Sequence, residues 1–356
     1  MKQLILYCRA GFEKECAAEI QDKAGQYNVF GYCKLQNDSA FVVFEAYDSE
    51  ALAAFYRDFP FEQLVFIRQW ALLIGDLIEL PPTDRVGAVV AQALAAELSP
   101  CGEIRVEYPD TNDGKELSTL ARKLTVPLRQ SLRQAGVMLP KQQSRAPVLH
   151  LFMLSGKQAY LGLSYPENSS DLENGIRRLK FPNDAPSRST LKLEEAFLQF
   201  IPRDEWETRL ASGMNAVDLG ASPGGWTYQL VIRSMMVVAI DNGMMDQKLM
   251  DTGQVKHFQV DGFKFRPEKR NVHWLVCDMI EKPDRVGQLI CDWLIKGWCQ
   301  ESIFNLKLPM KKRYETLQEI LGQMQTRFDE AGMAVIFQAK HLYHDREEVT
   351  VHLCKA

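Results

Sequence analysis

Residues 217–230 read VDLGASPGGWTYQL, and this stretch decides the fold. A strand-like run leads into it, a helix-like run follows, and three glycines and a proline lie between them. Glycine after a buried strand lets a ligand approach the main chain, and the next helix offers unpaired N–H groups. Gly220 is not followed by the glycines of a G-x-G-x-x-G pattern, which disfavours a dinucleotide. Asp218 adds negative charge and so favours a cationic ligand, although an ordinary glycine-rich turn can have the same residues.

The composition is that of a globular protein long enough for two or three domains. The chain has 356 residues, 46% of them hydrophobic and 25% charged, and a net charge of −4. Any nucleic-acid site must therefore be a local basic patch. Eight cysteines form no C-x-x-C pair and six histidines no H-E-x-x-H motif, so no metal site is predicted. Scattered thiols without a signal-like or membrane-spanning stretch favour a reducing cytoplasm.

The first part of the chain shows two α+β patterns in succession. Strand-like runs and helices over residues 1–100 predict one α+β domain, and residues 101–165 predict a second. In the second, we expect a helix over 115–136 to break or restart at Pro127. Residues 166–190 are rich in Pro, Asn, Ser and Asp, which is typical of a linker.

A basic stretch lies within the second of these domains. Residues 117–145 contain no acidic residue and six basic ones: Arg122, Lys123, Arg129, Arg133, Lys141 and Arg145. They form either a solvated helix face or a surface that contacts phosphates. In the second case we expect a positive surface that continues through Arg177, Arg178 and Lys180 toward Lys307.

The remainder, residues 191–356, alternates between strands and helices. Strand-like runs fall at 214–219, 235–240, 257–260, 274–278, 302–308, 333–340 and 348–354, and helices fit between the first six. This pattern predicts an α/β domain with a seven-stranded, mainly parallel, Rossmann-like sheet. Residues 341–347 are too few for a helical crossover, so the last two strands should pair antiparallel.

Charged side chains cluster where the predicted strands end. Asp218, Asp241, Asp261 and Asp278 lie at or just after four successive strands, and Lys307 lies on the fifth. Open α/β sheets bind ligands at this edge, where an acidic residue after the second strand accepts from ribose hydroxyls. An aspartate after the third strand suits the exocyclic amine of adenine.

This layout resembles the class I S-adenosylmethionine-dependent methyltransferases, and several motifs narrow the resemblance. RSTLKLEEAF at 188–197, VDLGASPGGWTYQL, CDM at 277–279, FNLKLP at 304–309 and REEVTV at 346–351 are similar to FtsJ-type ribose 2′-O-methyltransferases. The resemblance implies a catalytic tetrad of Lys192, Asp278, Lys307 and Glu348, with Glu347 as the alternative for the last place. It also implies S-adenosylmethionine as cofactor, bound by Ser189, Ser222, Pro223, Gly224, Gly225, Asp241, Asp261 and Asp278.

Stretches spread over the whole chain are similar to one family of 23S rRNA methyltransferases. They are YCRAGFEKECAAEI at 7–20, RLKFPNDAPSRSTLKLEEAF at 178–197 and FNLKLPMKKRYE at 304–315. That family joins a THUMP-type, ferredoxin-like RNA-binding region to an FtsJ-like domain, and its members often have Cys where this chain has Ser222. The resemblance implies 2′-O-methylation of a cytidine of 23S rRNA in the peptidyl transferase region. It implies a cytoplasmic monomer without an obligate protein partner.

The chemistry assigns different tasks to the two lysines. Removal of the proton from a 2′-hydroxyl needs a neutral amine, whereas an ordinary lysine is almost wholly charged at neutral pH. Burial and a neighbouring cation favour the neutral form. Lys307 is therefore interpreted as the base and Lys192 as the positioning cation. Two other hypotheses are a non-catalytic RNA-binding assembly factor and a nicotinamide-dependent dehydrogenase, the latter disfavoured by the missing glycine pattern.

Overall fold

Each half of the chain is built around its own β-sheet. The computed structural model describes residues 1–356, which divide into two units, Met1–Ile176 and Arg177–Ala356. The strands of the first unit are β1 (Gln3–Tyr7), β2 (Gly31–Leu35), β3 (Phe41–Ala46), β4 (Gln69–Leu73), β5 (Ile78–Glu79), β6 (Glu103–Glu107), β7 (Val148–Met153) and β8 (Gln158–Ser164). Its helices are α1 (Glu13–Gln26), α2 (Ser49–Asp58), α3 (Arg85–Ala95), α4 (Asn112–Glu116) and α5 (Ser118–Gln134).

The sheet of the first unit contributes to three hydrophobic cores. Its strand order is β2-β3-β1-β4-β8-β7-β6, with β5 paired to β8. One core lies under α1 and α2 around Trp70, another lies under α3 and α5, and a smaller third core includes Ile5 and Phe152. The second core includes Val89 and Ala93 of α3 together with residues of the predicted 101–165 domain, so the cores do not divide at residue 100.

Two helices of this unit differ from the sequence-based expectation. Helix α2 was not predicted, although Asp48 caps it by accepting from the N–H of Glu50 at 2.8 Å. The break predicted at Pro127 was wrong, since α5 is continuous through that residue. Pro127 and Lys123, whose carbonyl loses its helical partner, are both accessible to solvent, so water can bind that carbonyl.

The basic residues of α5 share one side of the helix. Arg122, Arg129 and Arg133 are spaced by close to whole turns, and Arg122 and Arg133 are exposed while Arg129 is partly buried. The apolar residues Leu128 and Leu132 are fully buried in the core. Helix α5 therefore presents a stripe of positive charge away from its packed face.

The second unit contains the predicted seven-stranded sheet. Its strands are β9 (Asn215–Leu219), β10 (Met236–Ile240), β11 (Val255–Phe258), β12 (Val272–Cys277), β13 (Cys299–Lys307), β14 (Val335–Lys340) and β15 (Glu348–Lys355). Its helices are α6 (Thr190–Phe200), α7 (Trp206–Arg209), α8 (Gly225–Val231), α9 (Gln247–Asp251), α10 (Pro283–Ile295) and α11 (Arg313–Glu330).

The strand order of this sheet confirms the prediction of one reversed strand. The order is β11-β10-β9-β12-β13-β15-β14; β9 to β13 run parallel, and β15 is antiparallel to both neighbours. The helix expected between β11 and β12 is absent. Residues 259–271, which include Gly262 and Pro267, form turns instead. The central strands β9 and β12 are almost wholly buried, as in sheets covered on both faces.

Candidate active site

The sheet topology brings four distant charged residues to one edge. Asp278 directly follows β12, and Lys307 is the last residue of β13. Because β15 is reversed, its first residue, Glu348, lies at the edge where the parallel strands end and is the cross-strand partner of Lys307. Lys192 comes from the first turn of α6. The four residues of the predicted tetrad therefore converge from four separate elements.

The four side chains form one network of ion pairs. Lys307 Nζ lies 2.5 Å from Asp278 Oδ1 and 3.9 Å from Glu348 Oε1. Lys192 Nζ lies 3.4 Å from Asp278 Oδ2 and also pairs closely with Glu348 Oε1. The alternative residue, Glu347, points elsewhere, since its carboxylate pairs with Arg313 at 2.6 Å. Each lysine thus faces both carboxylates of the network.

Lys192 is held as a cation. Burial alone would lower its pKa, but the neighbouring carboxylates of Asp278 and Glu348 outweigh burial and raise the pKa above its ordinary value. A raised pKa favours the protonated amine at neutral pH, and a protonated amine cannot accept a proton. The role of positioning cation stays a prediction for Lys192.

A cavity of about 670 Å³ lies beside this network. Of the predicted site residues, those that line it are Ser189, Lys192, Ser222, Asp241, Asp261, Asp278 and Lys307. The structure adds lining residues that the sequence reasoning did not select, among them Trp226, Met279 and Ile280. The sequence does contain a signal for Trp226, because it directly follows the glycine pair of the opening motif.

Three residues predicted to bind the cofactor do not line the cavity. They are Pro223, Gly224 and Gly225. A Cβ on Gly224 would collide with Leu249 and approach Met245 at 3.1 Å, and one on Gly225 would collide with Ser189. The glycines are needed because side chains of the protein pack against this backbone, and cofactor binding by these three residues stays a prediction. The glycine of this loop that does line the cavity is Gly220, with φ +80°.

Asp218 also differs from the expectation. Its side chain is fully buried and is absent from the cavity lining, and Thr227 Oγ1 donates to its Oδ2 at 2.6 Å. Burial, with a smaller contribution from the charge of Asp278, raises the pKa of Asp218 to about 7. The group is therefore only partly charged at neutral pH. Its hydrogen bond with Thr227 joins the end of β9 to helix α8.

The two other aspartates of the edge hold their own loops while lining the cavity. Asp241 accepts from the N–H of Ser222 at 3.1 Å and from that of Gly243 at 2.7 Å. Asp261 accepts from the N–H of Phe263 at 2.9 Å. These bonds fix the direction of both carboxylates at the cavity wall.

One buried polar atom of the cavity has no partner within the protein. The indole N–H of Trp226 is buried and makes no hydrogen bond, and Trp226 lines the cavity. Buried donors are normally satisfied, so an unpaired one beside a cavity is an observation that fits a polar ligand. The donors and carboxylates of the wall fit a ligand with both polar and cationic groups.

The fold is that of an FtsJ-like methyltransferase preceded by a ferredoxin-like domain. The family model for FtsJ-like methyltransferases matches residues 185–333, and the ferredoxin-like model matches residues 1–71. A model for the N-terminal region of ribosomal RNA large subunit methyltransferase M matches residues 84–165.

Full-length relatives identify the family. The ribosomal RNA large subunit methyltransferase M of Photorhabdus laumondii is 57% identical, covering 99% of this chain and 96% of its own length. The protein of the same name from Pectobacterium atrosepticum is 56% identical with the same coverage. The chain therefore belongs to the ribosomal RNA large subunit methyltransferase M family. The solved TrmN of Thermus thermophilus aligns over the whole of both chains at 16% identity and a TM-score of 0.36.

The helices were compared with the length and composition of a membrane-spanning helix. None combines the length and the apolar composition needed to cross a bilayer.

Proposed function

We propose that this chain transfers a methyl group from S-adenosylmethionine to the 2′-hydroxyl of a cytidine in 23S rRNA. The observation that supports the proposal is the ion-pair network of Lys192, Asp278, Lys307 and Glu348, of which the first three line a cavity with an acidic rim. Membership of a family named for large-subunit rRNA methylation supports the substrate class.

The cavity residues fit the proposed cofactor. Asp241 and Asp261 suit its ribose hydroxyls and adenine amine, and the unpaired indole N–H of Trp226 offers a further donor. Ser189 and Ser222 add hydroxyls to the same wall. When bound, S-adenosylmethionine supplies an electrophilic methyl group on a cationic sulfur.

The two lysines act on the acceptor hydroxyl in different ways. The Nζ of Lys307, in its neutral form, accepts the proton of the 2′-hydroxyl as that oxygen becomes the nucleophile. Lys192 stays charged and stabilises the negative charge that develops on the oxygen. Asp278 contacts both amines and fixes their separation, and Glu348 supports them from the other side. The basic stripe of α5 in the first unit is proposed to contact rRNA phosphates.

The test is methyl transfer by lysine variants at position 307. With unmodified 23S rRNA and labelled S-adenosylmethionine, wild type should make one site that resists alkaline cleavage, because 2′-O-methylation blocks that cleavage. Lys307→Ala should reduce kcat by about 100-fold or more, while the Kd of the cofactor stays within about threefold. Lys307→Arg should fail equally, since a guanidinium stays protonated.

The matched control is Lys296→Ala, which removes an exposed lysine at the end of α10. It should leave both kcat and cofactor Kd unchanged. Near-normal turnover by Lys307→Ala would remove Lys307 from the role of base. Transfer of the label to a base rather than to a ribose would overturn the proposed reaction, and absence of any transfer would favour a binding factor.

A further inference from the structure

A chain of buried polar side chains runs from Asp278 into the protein. Asn305 and Thr350 are fully buried, and Asp345 is 1% exposed. Asn305 Nδ2 donates to Asp278 Oδ1 at 2.9 Å, and Thr350 Oγ1 lies 2.8 Å from Asn305 Oδ1. Beyond it, Thr350 Oγ1 lies 3.0 Å from both carboxyl oxygens of Asp345. Asn305 and Thr350 lie within the motifs FNLKLP and REEVTV, but no role was predicted for them or for Asp345.

The orientation of the Asn305 amide is determined by its neighbour. Asp278 is paired with two lysines and is therefore a hydrogen-bond acceptor. The amide must present its NH₂ group to Asp278, because the opposite orientation would put two acceptors in contact. The Oδ1 of Asn305 consequently faces Thr350 and needs a donor from it.

The hydrogens available do not suffice if Asp345 is ionised. Thr350 has a single hydroxyl hydrogen, which Asn305 Oδ1 requires. An ionised Asp345 can only accept, so its contact with Thr350 would have no hydrogen. A proton on Asp345 resolves this, because Asp345 then donates to Thr350, Thr350 to Asn305, and Asn305 to Asp278. Asp345 Oδ2 also accepts from the N–H of Leu342 at 2.9 Å, which leaves Oδ1 for the proton.

The charges around Asp345 favour the same protonated state. Glu348 of β15 and Glu195 of α6 are the carboxylates that face it, and Lys192 of α6 is the cation. Lys192 is already shared by Asp278 and Glu348. Burial first, and then the two carboxylates, raise the pKa of Asp345 well above its ordinary value.

We propose that Asp345 is a neutral carboxylic acid that positions Asp278, and through it Lys307, by a one-directional chain of hydrogen bonds through Thr350 and Asn305. Asp278 Oδ1 accepts from both Asn305 and Lys307, at 2.9 and 2.5 Å. The chain of hydrogen bonds therefore fixes the position of the oxygen that contacts Lys307 Nζ. The catalytic part of this inference depends on the proposed function, whereas the protonation of Asp345 does not.

The protonation state can be measured without any assay of activity. The full-length protein is labelled with ¹³C at its aspartate carboxyls, and Asp345→Asn assigns the resonance that disappears. We expect the Asp345 resonance at the position of a protonated carboxyl near neutral pH. A resonance at the ionised position near neutral pH would overturn the proposal, whatever the reaction proves to be.

Activity then tests the positioning role. Thr350→Val removes the hydroxyl at constant shape, and we expect kcat to fall by about 10- to 100-fold with KM and cofactor Kd unchanged. Thr350→Ser restores the hydroxyl and should recover most of kcat. Asp345→Asn keeps both a donor and an acceptor and should retain most activity. It should also lack the alkaline loss of kcat that ionisation of Asp345 produces in wild type.

Controls separate this role from a general effect on the fold. Thr326→Val removes an exposed hydroxyl that donates to the carbonyl of Gly322 within α11. This variant should leave kcat unchanged. Asp345→Leu should reduce kcat as Thr350→Val does. Unchanged kcat in folded Thr350→Val would contradict the positioning role, as would equal losses in Thr350→Ser and Thr350→Val. If wild type methylates no ribose, the proposed function fails and the ¹³C measurement still decides whether Asp345 is protonated.

Discussion

Asp218 and Asp278 come from neighbouring strands of one sheet but have different partners. Asp278 contacts two lysines, whereas the partner of Asp218 is the hydroxyl of Thr227. Burial without a cation raises the pKa of Asp218 to about 7. Asp278 therefore forms ion pairs, whereas Asp218 is buried and hydrogen-bonds a neutral hydroxyl.

The raised pKa of Asp218 makes stability depend on pH in a defined direction. Its stabilising contribution is complete below the unfolded pKa, about 3.9, and is lost as the pH rises through about 7. Asp218→Asn does not titrate, so its stability relative to wild type should rise by up to about 4 kcal/mol between about pH 4 and about pH 8. Denaturant unfolding at several pH values measures this difference.

Asp329→Asn is the matched control for that series, since Asp329 is an exposed carboxyl on α11. Its difference from wild type should stay within about 0.5 kcal/mol at every pH. A pH-independent difference between wild type and Asp218→Asn would show that Asp218 has an ordinary carboxyl environment.

At the scale of elements, the glycine loop before α8 is fixed by packing. Gly224 has φ +118°, and a Cβ there would collide with Leu249 of α9. Gly224→Ala should lower the free energy of unfolding by about 2–4 kcal/mol, from backbone strain together with overpacking. Thermal or denaturant unfolding gives the value.

Gly253 provides the comparison, because it has φ +69° and a Cβ at this position would meet no other atom within 4 Å. Gly253→Ala should cost only the backbone strain, about 1 kcal/mol. Equal costs at the two positions would mean that packing against α9 contributes nothing.

The same scale shows what could be predicted from sequence and what could not. The seven strands were predictable because long apolar runs alternate with helical periodicity, and the charged residues of the edge follow from their ends. The missing helix before β12 and the unbroken α5 depend on tertiary context that periodicity does not contain. Asn305 and Thr350 lie within quoted motifs, but the contacts that join them to Asp278 and Asp345 arise from strand register and from a turn, which the motifs do not show.

At the scale of the whole molecule, the first unit is expected to supply affinity for RNA. Arg122, Arg129 and Arg133 form the positive stripe of α5. Replacing all three by Gln should weaken binding to 23S rRNA and reduce the slope of log Kobs against log salt by roughly 2 to 3. Binding of S-adenosylmethionine should not change. Titrations at several salt concentrations and calorimetry measure both quantities.

A second triple variant controls for net charge. Lys14→Gln, Lys23→Gln and Arg57→Gln remove the same charge from α1 and α2. This variant should keep the wild-type salt slope. If the α5 variant also keeps the wild-type affinity and slope, the stripe is a solvated helix face and RNA is bound by other residues.

The reversed strand has a consequence for how the protein becomes active in the cell. Lys192 leaves the ribosome early in the second unit, but Glu348 begins β15, the last strand of the sheet to be translated. Asp345 and Thr350, which support Asp278 from within, emerge with it. A nascent chain that has already folded β9 to β13 therefore contains the cavity wall but lacks Glu348 of the proposed catalytic tetrad. Methyl transfer should switch on only when translation has delivered β15, so prematurely terminated chains should be inert.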